Sequence, residues 1–250
     1  MTDHISMTEA LSPTSVGEWL DPFLARLGVG AGGEAEREAV LAASLGQRTY
    51  RRGETIVVGG DELQPLHLVT DGWAARVQAL EDGSHQITDF VLPGELCDLS
   101  RITDGLSEHA VALTVVRVVL LDRRKMLDAI ETQPKLGLAL LRLALSEQAI
   151  LREWLVCLGR REKREHLAHL LCELHQRLSR AGLVADHEFE LPLTQVELAD
   201  AMGISPEHTN RVLQRLRKEG VISLGQRHLT IHRPRELADI GEFDGAYLVK

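Results

Sequence analysis

"LTQVELADAMGISPEHTNRVLQRLRKEGVI" runs from Leu193 to Ile222, and its punctuation predicts two short helices joined by a tight turn. Thr194 and Glu197 form a T-x-x-E capping box at the start of the first. In such a box the hydroxyl and the carboxylate each satisfy a backbone N–H that the helix leaves orphaned. Val196, Leu198, Ala199 and Met202 are expected on the buried side. Gly203 suits the left-handed conformation that ends a helix. Ser205 is placed to cap the next helix and Pro206 to fill its first turn, where a missing N–H costs nothing. Ile204, Val212, Leu213 and Leu216 are expected to face inward, and Gly220 ends the segment. Two short helices around a glycine turn are the signature of a helix-turn-helix. "VISLGQRHLTIH" (Val221–His232) then alternates apolar and polar residues around Gly225, which predicts a two-stranded wing.

The outward face of the second helix carries chemistry. Glu207, Asn210 and Arg211 stand at i, i+3 and i+4 and so project together near its N-terminus. In a helix-turn-helix that end enters the DNA major groove. There Arg bonds guanine O6 and N7, Glu accepts from cytosine N4, and Asn reads adenine. His208 lies among them as a further base-reading candidate. Arg215, Arg217 and Lys218 follow toward the C-terminus, where phosphate or solvent meets them, and Arg227 sits at the tip of the wing.

Such a helix is unexpected in an acidic chain. The 250 residues carry a formal charge of −9, with 44% hydrophobic and 26% charged residues. The asymmetry resolves the tension. Residues 160–235 hold 13 Lys and Arg against 10 Asp and Glu, whereas the rest hold 15 against 27. A mildly basic C-terminal part on an acidic body is compatible with nucleic-acid binding by that part alone. No apolar run approaches the roughly 18 residues a membrane helix needs. The N-terminus lacks the basic start and apolar core of a signal peptide, so a cytoplasmic protein is expected. Cys97, Cys157 and Cys172 are odd in number with no CxxC pair, which argues against a disulfide framework or structural zinc.

Upstream, residues 1–16 read as a mobile tail. "VGEWLDPFLARLG" places Trp19, Phe23, Leu24 and Leu27 at helical spacing. From Arg48 to about Asp122 the runs TIVV, LHLV, ARVQAL, HQITDFVL and HAVALTVVRVVLLD are punctuated by Gly59-Gly60, Asp71-Gly72, Asp82-Gly83 and Pro93-Gly94. Many short strands with tight turns predict a β-barrel or β-roll. From Pro134 to about Arg160 one long helix is expected, with two apolar rows. Leu136, Leu140, Leu143, Glu147, Ile150, Trp154 and Cys157 form the first. Leu138, Leu141, Leu145, Gln148, Leu151, Leu155 and Leu158 form the second. One row can face the chain's own β-roll and the other a partner helix. Leu136, Leu140, Leu143, Ile150 and Trp154 are taken as the dimer seam. Gly159 and the charged run RREKRE read as a hinge, and "HLAHLLCELHQRLSRAG" as a further amphipathic helix. "LVADHEFELPLT" reads as a linker with a short strand, and "GEFDGAYLVK" offers no reading.

These features together resemble the Crp/Fnr family of bacterial transcription regulators, over about residues 19–235. "YRRGETI" and "PGEL" in the β-roll, the long helix, and above all the stretch quoted first carry the likeness. The resemblance implies an α+β chain. A cyclic-nucleotide-binding-like β-roll would occupy 17–132, a dimerisation helix 133–160 and a winged helix-turn-helix 161–240, with tails at 1–16 and 241–250. It implies that Glu207 and Arg211 form the family's E-x-x-x-R pair, and that Gln195, Ser205 and Arg227 lie near phosphates. It further implies a homodimer on palindromic double-stranded DNA, positioning or blocking RNA polymerase.

In relatives that hold a cyclic nucleotide, a Gly-Glu pair contacts ribose and an Arg followed by Ser or Ala holds the phosphate. Gly94 and Glu95 match the first part, but the phosphate-Arg position falls near Leu106, with Ser107 next. A cyclic phosphate needs a cation or a nest of amides. Gly94, Glu95 and Ser107 therefore read as a degenerate effector pocket. Gly94 becomes a turn residue, and Glu95 a carboxylate bonding loop amides. No cofactor is expected, and the small-molecule effector is open. The absence of Cys from residues 1–30 excludes the family's N-terminal cysteine cluster. Cys97 and Cys157 are candidates for oxidation or buried apolar residues. His166, His169, Cys172 and His175 follow steps of three, so the first and last lie about 180° apart and cannot share one site on a helix. No nucleophile–base motif, phosphate loop or metal-ligand spacing supports an enzyme. The alternative function is an effector- or redox-responsive sensor acting through protein contacts, with a weak or vestigial DNA-binding domain.

Overall fold

The computed structural model describes residues 16–29, 33–58, 65–81, 83–103 and 109–248. Outside these fall nearly all of the expected N-terminal tail, the Gly59-Gly60 turn, Asp82, and the Leu106–Ser107 part of the effector pocket. The chain divides into two compact units, one of residues 1–77 and 90–145, the other of 78–89 and 146–249.

The first unit opens with helices α1 (Val16–Arg26) and α2 (Glu34–Ala43). Strands β1 (Ser44–Tyr50), β2 (Thr55–Val57), β3 (Leu66–Asp71), β4 (Ala74–Ala79), β5 (His85–Val91), β6 (Ala110–Ala112) and β7 (Val116–Leu121) follow. One sheet has the order β1-β7-β3 and the other β2-β6-β4-β5, a β-roll as expected. The central strand β7, VRVVLL, explains its own composition. Side chains alternate across a strand, and here both faces are covered. Val119 and Leu121 enter a core with Trp19, Phe23, Leu66, Leu68 and Met126. Val116, Val118 and Leu120 enter a second core with Tyr50, Val57, Val69 and Ala74. Only Arg117 is exposed, and it pairs with Asp71 at 3.1 Å.

Helix α3 (Arg123–Thr132) was not anticipated. It starts where the Asp122 carboxylate accepts from the Lys125 N–H at 2.9 Å. Helix α4 (Pro134–Gly159) is the expected long helix, and the division between the units falls within it. Its burial separates the two apolar rows. Leu136, Leu140 and Leu143 are buried in the first unit's helical core. Ile150, Trp154 and Cys157 are buried too, and the Trp154 indole N–H donates to Glu173 at 3.2 Å. The other row, Leu138, Leu141, Leu145, Leu151, Leu155 and Leu158, is between 36% and 70% exposed. Both rows have nearly the same spacing, and spacing alone cannot say which one the rest of the chain covers.

The second unit contains α5 (Lys163–Arg180), β8 (Glu188–Glu190), α6 (Gln195–Met202), α7 (Pro206–Lys218), β9 (Ile222–Gly225), β10 (His228–Ile231) and α8 (Pro234–Gly241). The wing is three-stranded, in the order β8-β10-β9, because the strand expected in the linker joins the hairpin. The segment set apart as a C-terminal tail packs onto α5 over its described part. His169 Nδ1 lies 3.0 Å from the Gly241 carbonyl oxygen. The Tyr247 hydroxyl lies 3.0 Å from His169 Nε2 and 2.9 Å from the Glu173 carboxylate, and Leu248 is buried. Glu173 also meets Arg177 at 3.1 Å, which in turn meets Asp89 at 3.0 Å.

Candidate nucleic-acid interface

The helix-turn-helix is built as its caps dictate. Thr194 Oγ1 accepts from the Glu197 N–H, and the Glu197 carboxylate accepts from the Thr194 N–H, closing the capping box. Gly203 ends α6 in the left-handed region at φ 61°. Ser205 Oγ accepts from the His208 N–H at 3.3 Å and starts α7, with Pro206 in the first turn. Leu198, Ala199, Met202, Val212, Leu213 and Leu216 are buried, while Ile204 is half-buried. Val196 departs from expectation and is 53% exposed. It lies two residues from Leu198, about 200° around the helix, so the two cannot share a face. Thr209, fully buried, takes a core place that its polarity had hidden; its hydroxyl bonds the Ser205 carbonyl.

The outward cluster is brought together. Glu207 and Arg211 are exposed, with Asn210 and His208 half-buried. The Ser205 hydroxyl, first, and then the Glu207 backbone amide and Arg211 hold the Glu207 carboxyl below its usual range. It is therefore a charged acceptor at neutral pH. Asn210 Nδ2 donates to Gln195 Oε1 at 2.9 Å. Arg215 is exposed and pairs with Glu219 at 3.1 Å. Glu219 also receives Arg164 of α5 at 2.6 Å.

Lys163 and Arg164 lie in the charged run expected to be a hinge. They line, with His208, Arg211, Val212, Arg215 and Glu162, a concavity of 380 Å³. Five basic or imidazole side chains around one hollow make a surface suited to phosphate oxygens. Arg227 stands at the wing tip, where Gln226 and Arg227 adopt φ of 50° and 67°. Two successive positive φ values form the mirror-image turn that tight hairpins require. Its guanidinium donates weakly to the Pro192 carbonyl at 3.4 Å.

Of the residues expected in the effector pocket, Gly94 and Glu95 are among those described. Gly94 is buried and turns the chain at φ 85°. Glu95 is 3% exposed; its carboxylate accepts from the Leu92 N–H at 3.1 Å and forms an ion pair with Arg26 of α1. Arg76 donates to the Leu96 and Cys97 carbonyls at 2.8 and 3.1 Å. Buried His67 meets Asp98 at 2.9 Å.

The three cysteines are buried, and none of them is in a disulfide. Burial pushes the Cys172 thiol up to about 12 and raises that of Cys157, so neither is an exposed thiolate. Among the described residues no group of three or more His, Cys, Asp or Glu is placed to hold a metal ion. Nor is any helix among them long and apolar enough to cross a membrane.

Comparison with known proteins bears on this geometry. The cyclic nucleotide-binding domain model matches residues 47–133, and the Crp-like helix-turn-helix domain model matches residues 165–240. The chain is 31% identical over 203 residues to the transcriptional activator protein FnrL of Cereibacter sphaeroides, covering 79% of this chain and 81% of that protein. It is 26% identical over 195 residues to the fumarate and nitrate reduction regulatory protein of Escherichia coli K12, covering 78% of each. Among solved structures, FixK2 from Bradyrhizobium japonicum is similar in fold with a TM-score of 0.70 at 23% identity. That likeness covers 79% of this chain and 96% of FixK2.

Proposed function

The chain belongs to the Crp/Fnr family of DNA-binding transcription regulators, and from that premise we propose that it is a cytoplasmic homodimer reading a palindromic operator through the helix at 205–219. The family is one of regulators, not of enzymes. The observation that carries the finer reading is the outward cluster of exposed Glu207 and Arg211 with half-buried Asn210 at the capped N-terminal end of α7. In this reading Arg211 forks onto guanine, Glu207 accepts from cytosine, Asn210 meets adenine, and His208 reaches a neighbouring base edge. Arg215 and Arg227 meet phosphates, with Gln195 and Ser205 beside them. Half-sites stand about one helical turn apart.

The dimer forms through the exposed row of α4, since the other row is already covered by the chain itself. Bound dimers position or block RNA polymerase. Cyclic nucleotide does not control the protein. The carboxylate that would meet ribose is already held by Arg26 and the Leu92 amide. At the phosphate position the sequence has Leu106 rather than arginine. Control by abundance is then sufficient.

Selection from a random duplex pool at physiological salt, with no ligand added, tests this. A recovered palindrome, bound equally with and without added cyclic AMP, is expected. No enriched sequence, or enrichment only with the nucleotide, sinks the reading. In the first case the alternative of a sensor acting through protein contacts takes its place.

A further inference from the structure

Asn210 carries an ambiguity that matters for reading a base. A primary amide has a carbonyl on one side and an NH₂ on the other, and rotating it by half a turn exchanges them. Adenine offers an N7 acceptor beside an N6 donor. Only one orientation of the asparagine amide matches that pair; the other sets donor against donor and acceptor against acceptor. A base-reading asparagine is therefore selective only if something chooses its orientation.

Gln195 is placed to choose. It is the first residue of α6, directly after the cap Thr194, so the capping box fixes its backbone. Its Oε1 accepts from Asn210 Nδ2 at 2.9 Å, bridging 15 residues of sequence and the two helices of the motif. With Oε1 turned to Asn210, as here, Gln195 holds the NH₂ side of Asn210 toward α6; Gln195 is itself a primary amide, and Glu at this position would present oxygen alone. The bond uses one of the two Nδ2 hydrogens and leaves the other, together with Oδ1, for a base edge. The NH₂ of Gln195 itself is not consumed by this bond. Glu207, three residues before Asn210, and Arg211, the residue after it, make no hydrogen bond with its amide among the described residues, so the constraint comes from α6 rather than from α7 itself.

We propose that Gln195 is a positioning residue that selects the amide orientation of Asn210 and so sets an adenine preference at one operator position. This rests on the reading of α7 as the base-reading helix. It assigns to Gln195 a role in specificity beyond contact with phosphate.

The test measures affinity by fluorescence anisotropy for the selected operator and all its single-base variants. Asn210→Ala is expected to lose discrimination at one base pair, by between about five- and 150-fold. Gln195→Ala is expected to lose several-fold discrimination at that same base pair. The double variant should discriminate no worse than Asn210→Ala, since the residues act as one unit. Gln195→Glu keeps an acceptor but adds a charge. It should retain the preference while weakening every duplex, because the new carboxylate meets the phosphate backbone. Uniform weakening by Gln195→Ala with all preferences intact overturns the proposal and leaves a phosphate contact. Additive losses in the double variant overturn it as well. If Arg211→Ala and Asn210→Ala both leave every preference unchanged, the reading of α7 has failed and takes this proposal with it.

Discussion

His166 shows how a single side chain ties this fold to pH. Its ring is buried in α5, and its Nδ1 has no hydrogen-bond partner among the described residues. Burial first, then the charges of Lys163, His169 and Arg161, push its pKa down to about 4. The unfolded chain protonates this histidine near its ordinary 6.5, so between those values the unfolded state binds the extra proton. Its contribution is fully present above about pH 6.5 and is lost as pH falls through 4, amounting to about 3 kcal/mol at most. Glu173 acts in the opposite sense. Burial raises its pKa to about 7, so its contribution weakens as pH rises toward that value. The two slopes overlap, and the wild-type curve alone does not separate them. His166→Gln does. Its stability relative to wild type, from denaturant melts at several pH values, is expected to improve steadily as pH falls from 6.5 to 4. A difference independent of pH would show that the folded state protonates His166 as readily as the unfolded one. The spacing of His166, His169, Cys172 and His175 drew attention to this residue but not to its burial, because a histidine's burial depends on what packs over it.

At the scale of elements, legibility followed the caps. Thr194, Gly203, Ser205 and Pro206 act through local backbone geometry, and each lies where its chemistry requires. The β-strands were legible from turn pairs and Val-rich runs for the same reason. What failed depended on tertiary context. α3 and α8 were missed because their apolar faces are short, and residues 242–248 because Tyr247 finds its partners on a distant helix. The two rows of α4 are the sharpest case, since a period of three and four is common to both. Burial now separates their mutational behaviour. Leu155→Glu places a charge on a side chain 70% exposed in the single chain. It is expected to leave a folded protein that runs as a monomer by light scattering and binds the operator poorly. Ile150→Glu forces a charge into a site only 2% exposed. Burying an unpaired charge costs several kcal/mol, so a large fall in melting temperature is expected instead. A Leu155→Glu protein that stays dimeric would remove this row from the interface.

For the molecule as a whole, charge distribution and assembly meet in the salt dependence of DNA binding. A chain of net charge −9 gains affinity for a polyanion only through a local basic surface. Here that surface comprises Arg211, Arg215, Lys163, Arg164 and, at the wing tip, Arg227. Each phosphate neutralised releases counterions, so log K falls against log salt with a slope of about −0.9 per contact. Among the described residues the Arg227 side chain makes one hydrogen bond, at 3.4 Å to the Pro192 carbonyl, so its removal leaves little unsatisfied. Arg227→Ala should therefore preserve stability and weaken all sequences alike. The size of the slope change also counts subunits. A monomer losing one phosphate contact becomes shallower by about 0.9, whereas a symmetric dimer loses two and becomes shallower by about 1.8. Titrations of one operator between 50 and 300 mM salt, for wild type and Arg227→Ala, read both quantities. A change near 1.8 fits a dimer with both wings on the backbone, and one near 0.9 fits a single engaged wing. An unchanged slope would place Arg227 off the DNA and move the basic contacts to the hollow lined by Lys163 and Arg164.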